Sequence, residues 1–331
     1  MKKPRICTIG SHSALNILRG AMDEGFSTLL ICKKGTAKFY ESFGICNETI
    51  EIDEYSDIYN YQDQLGDCII IPHGSFVAYY DLDRLQKEFR IPIFGNKKML
   101  DWESDRRKKS DLMKAAGLRL PMEFENVEDV DRPVIVKHFG AHGGQGFYIA
   151  RTPEELRERV ASIPDEENQP KIIQELVRGT NIYPSFFHSV IRNRTELFCV
   201  DRRYESDVDS SLEMFFDEFN PTFTIVGNYP LVLRESIAVQ VQKDGEAFID
   251  ATKRLVPPGL NGAFCLEMVV DRDLNIYTFE FSGRIVAGTN FFVPYSPYSY
   301  VMWGEAMSMG RRIAREIKDA FDVGRIDEIC F

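Results

Sequence analysis

The sequence predicts a chain of mixed α/β and α+β character, with a parallel sheet first and antiparallel strands after it. Three observations carry that reading. Apolar strand-like runs alternate with helix-period segments through about residue 100, a glycine-rich stretch then joins two strand-like runs, and from residue 181 longer strands dominate. The 331 residues are too many for one small core and divide into 1–100, 101–180 and 181–331.

In the first unit, residues 5–10 (RICTIG) form a short apolar run ending in a turn, and 13–25 (SALNILRGAMDEG) carry Leu15, Ile17, Leu18 and Met22 at near-helical spacing up to Gly25. Residues 27–34 (STLLICKK), 49–53 (TIEID) and 67–74 (DCIIIPHG) read as further strands. Strands alternating with helices imply a parallel sheet whose ligand-binding turns lie at its carboxyl edge. The GSH turn after the first run and the HGS turn after the fourth both fall there. A hinge, 91–100, precedes a charged helix that ends at Gly117. The second unit reads strand 133–140, glycine-rich turn 141–146, strand 147–150, helix 152–163 and strand 171–177. The third has strands near 183–191, 196–204, 222–227, 264–270 and 276–283, with helices over 235–255 and 309–321.

Composition narrows the function classes. Hydrophobic (44%) and charged (27%) fractions are those of an ordinary globular protein, and no apolar run reaches the ~18 residues of a membrane span. A net charge of -11 argues against a general nucleic-acid surface. Seven scattered cysteines without a C-x-x-C pair point to free thiols in a reducing compartment rather than to zinc or disulfides. With no recognisable leader, the expected location is the cytoplasm.

The strongest motif is VIVKHFGAHGGQGFYI, in which one strand delivers Lys137 and a loop with Gly143, Gly144 and Gly146 turns straight into another strand. Glycines let backbone N–H groups approach phosphate oxygens, and Lys137 adds a point charge. The strand–loop–strand order differs from the Walker loop and from the kinase loop. Taken alone, the glycines also fit a plain hairpin. About thirty residues on, IIQELVRGT is a strand ending in a polar turn, where an acid is often only a solvated edge residue. Glu267 in FCLEMVV and Glu280 in IYTFEFSGR then sit in apolar strands joined by the turn DRDLN, so both carboxylates reach one point. Burying them is costly unless they are paired or bind a cation. Mg²⁺ accepts one or two carboxylates plus phosphates, whereas the alternative is a pair of buried salt bridges with Arg284 an available partner.

This order of parts resembles the ATP-grasp fold, with a Rossmann-like unit in front. The stretches TIGSHSALNILRGAMDEGFST, IIPHGSFVAY, IFGNKKMLDWES, VIVKHFGAHGGQGFYIA, DRRYES, VPPGLNGAFCLE and SMGRRIAREIK resemble archaeal formate-dependent FAICAR synthetases across essentially the whole chain. The resemblance implies a ligase that converts aminoimidazole carboxamide ribonucleotide (AICAR), formate and ATP to the formylated ribonucleotide, ADP and phosphate during purine synthesis. It places ribonucleotide contacts on His12, Ser75 and Asn228. ATP contacts fall on the segment from Lys137 through the hinge strand, with Gln174, Glu175 and Val177, and on Glu205. Mg²⁺ or Mn²⁺ falls on Glu267 and Glu280, and a homo-oligomer is expected. Lys137 and Arg284 are the expected catalytic residues, Arg284 by stabilising an acyl phosphate. Val286 and Ala287 stand where an acid followed by glycine is expected, and Arg106 stands where a phosphate-binding lysine is common. A ligase for another small acid and amine, or a silent nucleotide-binding relative, are the other readings. A third, a nicotinamide oxidoreductase, is suggested only by the parallel-sheet start, and TIGSHSAL lacks the second and third glycines of that fingerprint.

Overall fold

In the computed structural model, which describes residues 3–11, 13–138, 147–163, 171–205, 225–288 and 296–331, the first apolar runs become a parallel sheet. Strands β1 (Arg5–Ile9), β2 (Thr28–Lys33), β3 (Glu48–Ile52) and β4 (Cys68–Ile70) lie in the order β3-β2-β1-β4. Both sheet faces are covered, which is why β2 is apolar almost throughout and buried from Thr28 to Cys32. The strand order reverses between β1 and β4, and open parallel sheets bind ligands at such a reversal, beyond the carboxyl ends of the strands. The residues there are Ser11 after β1 and the His73–Ser75 stretch after β4. That stretch is not the simple turn expected from sequence. His73 caps the helix Gly74–Tyr79, its Nδ1 accepting from the Ser75 N–H at 3.3 Å.

The second sheet, β5-β8-β6-β7, joins β5 (Glu123–Phe124), β6 (Val134–His138), β7 (Phe147–Ala150) and β8 (Lys171–Glu175) in antiparallel pairs. Its alternating strands turn Val134, Val136, Tyr148 and Ile173 toward Leu156 and Val160 of the helix Pro153–Ser162. That helix starts cleanly because Thr152 Oγ1 accepts from the Glu155 N–H at 3.1 Å and Pro153 fits its first turn.

The large sheet is antiparallel: β9 (Thr180–Ser189), β10 (Arg194–Glu205), β11 (Ile225–Pro230), β12 (Gly262–Val270) and β13 (Ile276–Ser282), in the order β11-β10-β9-β12-β13. The last part of the strand expected near 222–227 is present as β11, while 222–224 lie outside the described residues. All nine residues of β12 are buried, because both faces carry helices. Phe264, Leu266 and Met268 meet Val241, Phe248 and Ile249 of the helix Glu235–Leu255. Ala263 and Cys265 meet Met309, Ile313 and Ile317 of the helix Met309–Asp322 on the other face.

That last helix returns to the first sheet and crosses the helix Ala14–Asp23. A Cβ on Gly20 would lie 2.0 Å from Arg311 N, and one on Gly310 would lie 2.1 Å from Asn16 O, so the crossing demands glycine on both sides. Glu24 locks it, accepting from Arg311 Nε at 2.7 Å and Arg315 Nε at 2.6 Å.

Candidate active site

Glu267 and Glu280 face each other directly across β12 and β13. Immediately beside them the register shifts: Met268 pairs with Thr278, leaving Phe279 as an extra residue in β13. A bulge bends its strand and re-aims the side chains around it, and here it borders the carboxylate pair. Each carboxylate carries a cation from a distant part of the chain. Arg203 of β10 donates twice to Glu267, at 3.0 and 2.9 Å, and its guanidinium lies 3.9 Å from the Tyr183 ring centroid. Lys109 of the helix Arg106–Ala115 donates to Glu280 Oε1. The salt-bridge alternative is thus realised, but not with Arg284 as the partner.

Electrostatics tie this pair to the second sheet. Burial by itself would raise the Glu280 carboxyl, yet Lys109, Lys137 and Arg106 outweigh it and hold it down at about 2. Burial pushes the Lys137 ammonium down; Glu280 opposes that, while Arg106 and Lys109 add to it. Lys137 Nζ donates to Gln174 Oε1 at 2.9 Å and stands 5.8 Å from the Phe279 ring centroid. Glu175, next on the hinge strand, accepts from the Met122 N–H at 3.2 Å and pairs with Arg132 at 3.5 Å, so its side chain serves the edge of the sheet. Val177 is half-buried just beyond β8. Gly143, Gly144 and Gly146 lie outside the described residues, as do His12 and the Glu205 side chain.

Arg284 follows Glu280 by four positions and is held by Glu103, whose carboxylate accepts from Arg284 Nη2 at 2.7 Å and from the Gly283 N–H at 2.8 Å. The neighbouring Ile285 forms a parallel β-bridge with His73, and His73 Nε2 bonds Ile9 O at 3.0 Å. Ser75 Oγ donates to Ser11 Oγ at 2.8 Å, so the two turns at the sheet reversal meet. Asn228 sits opposite Arg203 in the β10–β11 register. Val286 is buried in the core beside Ile285 and Met307, so it packs rather than lines the centre.

Among the described residues, the centre therefore gathers Arg106, Lys109, Lys137, Arg203 and Arg284 around Glu103, Glu267 and Glu280, five cations against three carboxylates. A surplus of positive charge at the junction of three sheets suits a polyanion with a carboxylate-bound cation. Among the described residues there is no cluster of three or more His, Cys, Asp and Glu that would hold a metal without such a ligand. Magnesium commonly takes only one or two carboxylates and completes its shell with phosphate and water, so Glu267 and Glu280 fit it.

Comparison with known proteins shows the family and the fold. The 5-formaminoimidazole-4-carboxamide-1-(beta)-D-ribofuranosyl 5'-monophosphate synthetase of Archaeoglobus fulgidus is 44% identical, over 98% of this chain and 94% of its own length. The synthetase of the same name from Sulfolobus acidocaldarius is 45% identical over 98% of both. The chain belongs to this synthetase family. Residues 6–124 match a family described as a protein of unknown function (DUF1246) and 151–330 one described as a domain of unknown function (DUF1297). Among solved structures, an IMP biosynthesis protein PurP from Thermococcus kodakaraensis superposes with a TM-score of 0.80 at 30% identity, covering 98% of this chain and 100% of that one. The N5-carboxyaminoimidazole synthetase of Staphylococcus aureus complexed with ADP superposes at 0.65, covering 92% and 78%, and at 14% identity shares the fold alone. The fold is ATP-grasp behind a parallel-sheet unit, as the motif order implied.

Sequence reasoning missed Lys109, Arg203 and Glu103. All three sit in charged stretches, DWESDRRKKSD and VDRRYES, where the local pattern does not single them out. Their partners, Glu267, Glu280 and the Gly283 N–H, lie 64 to 180 positions away. The only available signal was that unpaired Glu267 and Glu280 needed cations from somewhere.

Proposed function

We propose that this synthetase-family chain joins formate to the exocyclic amine of AICAR with conversion of ATP to ADP and phosphate. The observation that carries this is the surplus of cations around Glu267 and Glu280, linked through the His73–Ile285 bridge to the Ser11–Ser75 turn pair. One end offers a polyphosphate and metal site; the other offers hydroxyls at the ligand edge of a parallel sheet.

A formate oxygen attacks the γ-phosphorus of ATP, the bond to ADP breaks, and formyl phosphate forms. The amine then attacks the formyl carbon, phosphate leaves, and the amine loses a proton. That amine is conjugated to an electron-poor ring and is a weak nucleophile, so the acid must be activated first. Lys137 and Arg106 neutralise phosphate oxygens, and Arg284, oriented by Glu103, faces the acyl phosphate. Glu267 and Glu280 would hold a divalent cation, magnesium or manganese, which supplies further charge neutralisation. Catalysis of this kind is mostly positioning and electrostatics. Ser75, with His12 and Asn228, holds the ribonucleotide; the glycine-rich loop, Gln174, Glu175, Val177 and Glu205 hold ATP.

The 1–100, 101–180 and 181–331 units would then supply the ribonucleotide edge, the ATP-covering lobe and the metal-bearing sheet. Seven free cysteines support a reducing, cytoplasmic setting. Val301, 84% exposed beside exposed Tyr300 and Met302, supports self-association, which light scattering on the purified protein would measure.

The test is phosphate release with Mg-ATP, formate and AICAR, omitting each in turn. Release that requires both co-substrates is the expected result. Release with a different acid or amine, or binding of ATP with no release under any combination, would overturn the assignment.

A further inference from the structure

Glu280 is claimed twice. Its Oε1 accepts from Lys109, and the same carboxylate is the more open of the two proposed metal ligands, with 38% of its side chain exposed against 16% for Lys109. Glu267 is closed by comparison, 7% exposed and gripped by both Nη atoms of Arg203. A cation arriving at the pair therefore competes at Glu280, and the group it competes with is Lys109.

Displacing Lys109 leaves a mostly buried ammonium that must find another partner. Among the described residues the other carboxylates acting on Lys109 are taken, Glu267 by Arg203, and Glu103 by Arg284 and the Gly283 N–H. Lys137 and Arg106 press the same spot with like charge. A buried charge stripped of its counter-ion is strongly unfavourable. A compact ammonium is well suited to phosphate oxygens, so a nucleotide polyphosphate brings the missing anion.

We propose that Lys109 and the divalent cation exclude one another at Glu280, so that the cation binds tightly only together with a nucleotide whose phosphate takes over Lys109. Lys109 is then a positioning residue that couples metal and nucleotide binding. The inference rests on the reading of Glu267 and Glu280 as metal ligands. Coupling of this kind is reciprocal, and commonly amounts to about 5- to 150-fold in affinity.

The sign of the effect sets it apart from a salt bridge that only stabilises the fold. Mn²⁺ binding to the full chain without nucleotide, followed by electron paramagnetic resonance, should tighten about tenfold or more in Lys109→Met. Lys109→Arg, which keeps the charge, should bind as weakly as the parent. Lys109→Gln serves if Lys109→Met does not fold, and the same tightening is expected of it. Glu280→Gln added to either should abolish the gain. Equal Mn²⁺ affinity in the parent and the neutral variants, while Mn-ADP still binds the parent and not Glu280→Gln, overturns the exclusion and leaves the metal ligands standing. Mn-ADP binding that ignores Glu280→Gln removes the metal reading itself.

Discussion

Two sets of buried charge sit on the large sheet. Near the β9–β10 end, Arg312 bonds Glu196 at 2.9 Å and Glu316 at 3.0 Å, and none of the three side chains is more than 1% exposed. Glu316 also accepts from Ser189 Oγ at 2.8 Å and from the Ile191 N–H at 3.1 Å, and the Arg312 guanidinium lies 3.9 Å from the Phe187 ring centroid. On β12 and β13, Glu267 and Glu280 are also paired with cations, yet Glu280 stays partly open and, among the described residues, cations outnumber carboxylates around it. A buried ion pair thus says little about function. What separates the two is closure: the first network is sealed by its own members, and the second has surplus positive charge and a carboxylate within reach of solvent.

Cutting each network in turn tests the difference most directly. Glu280→Gln should lower turnover by about 10³-fold or more; stripping the Lys109 ammonium costs some stability, but less than a cut in the sealed network, because Glu280 and Lys109 keep 38% and 16% of their side chains exposed. Arg312→Met should do the reverse, costing about 3 kcal/mol of stability with Glu196 still held by Arg194. Paired measurements of phosphate release and urea unfolding check both, and a large stability loss in Glu280→Gln would mean that the open network is structural too.

His188 lies beside the sealed network and offers a smaller test. Burial pushes its imidazole down to about 4, Lys253 adds to this, and Asp250 and Glu196 oppose it; Thr195 Oγ1 bonds its Nδ1 at 3.0 Å. Its folded value lies below the unfolded one, so the unfolded chain takes up the proton first. The stabilisation is complete above about pH 6.5 and is lost as pH falls toward 4, by roughly 3 kcal/mol. Urea midpoints of the parent should drop over that window, whereas those of His188→Gln should drop less.

The smallest expected change sharpens the open side. Glu103→Gln keeps an acceptor for the Gly283 N–H but removes the charge that holds Arg284. Turnover should fall about tenfold, with little change in ATP affinity, as supporting contacts usually cost. Steady-state kinetics varying ATP and formate separately would show it, and an equal loss in both apparent affinities would argue for general loosening.

Much of the architecture was legible because it is local. Apolar runs of β-type spacing, the glycine that ends a helix at Gly117, and the short DRDLN turn between β12 and β13 each act within a few residues. The alignment of Glu267 with Glu280 follows from that hairpin, and the meeting of the GSH and HGS turns follows from parallel topology. The strand expected near 222–227 runs on to Pro230, an extension defined by its partner β10 rather than by its own pattern.

By itself the sequence determined the order of strands and helices, the pair of strand-borne glutamates, and the lysine before a glycine-rich loop, because periodicity and turn chemistry are written over short stretches. Which cations those glutamates face, that Glu103 rather than Glu267 or Glu280 holds Arg284, and that Gly20 and Gly310 let their two helices cross were settled by tertiary packing alone. Such partners lie tens to hundreds of residues apart, and charge in a sequence carries no direction until packing turns it inward.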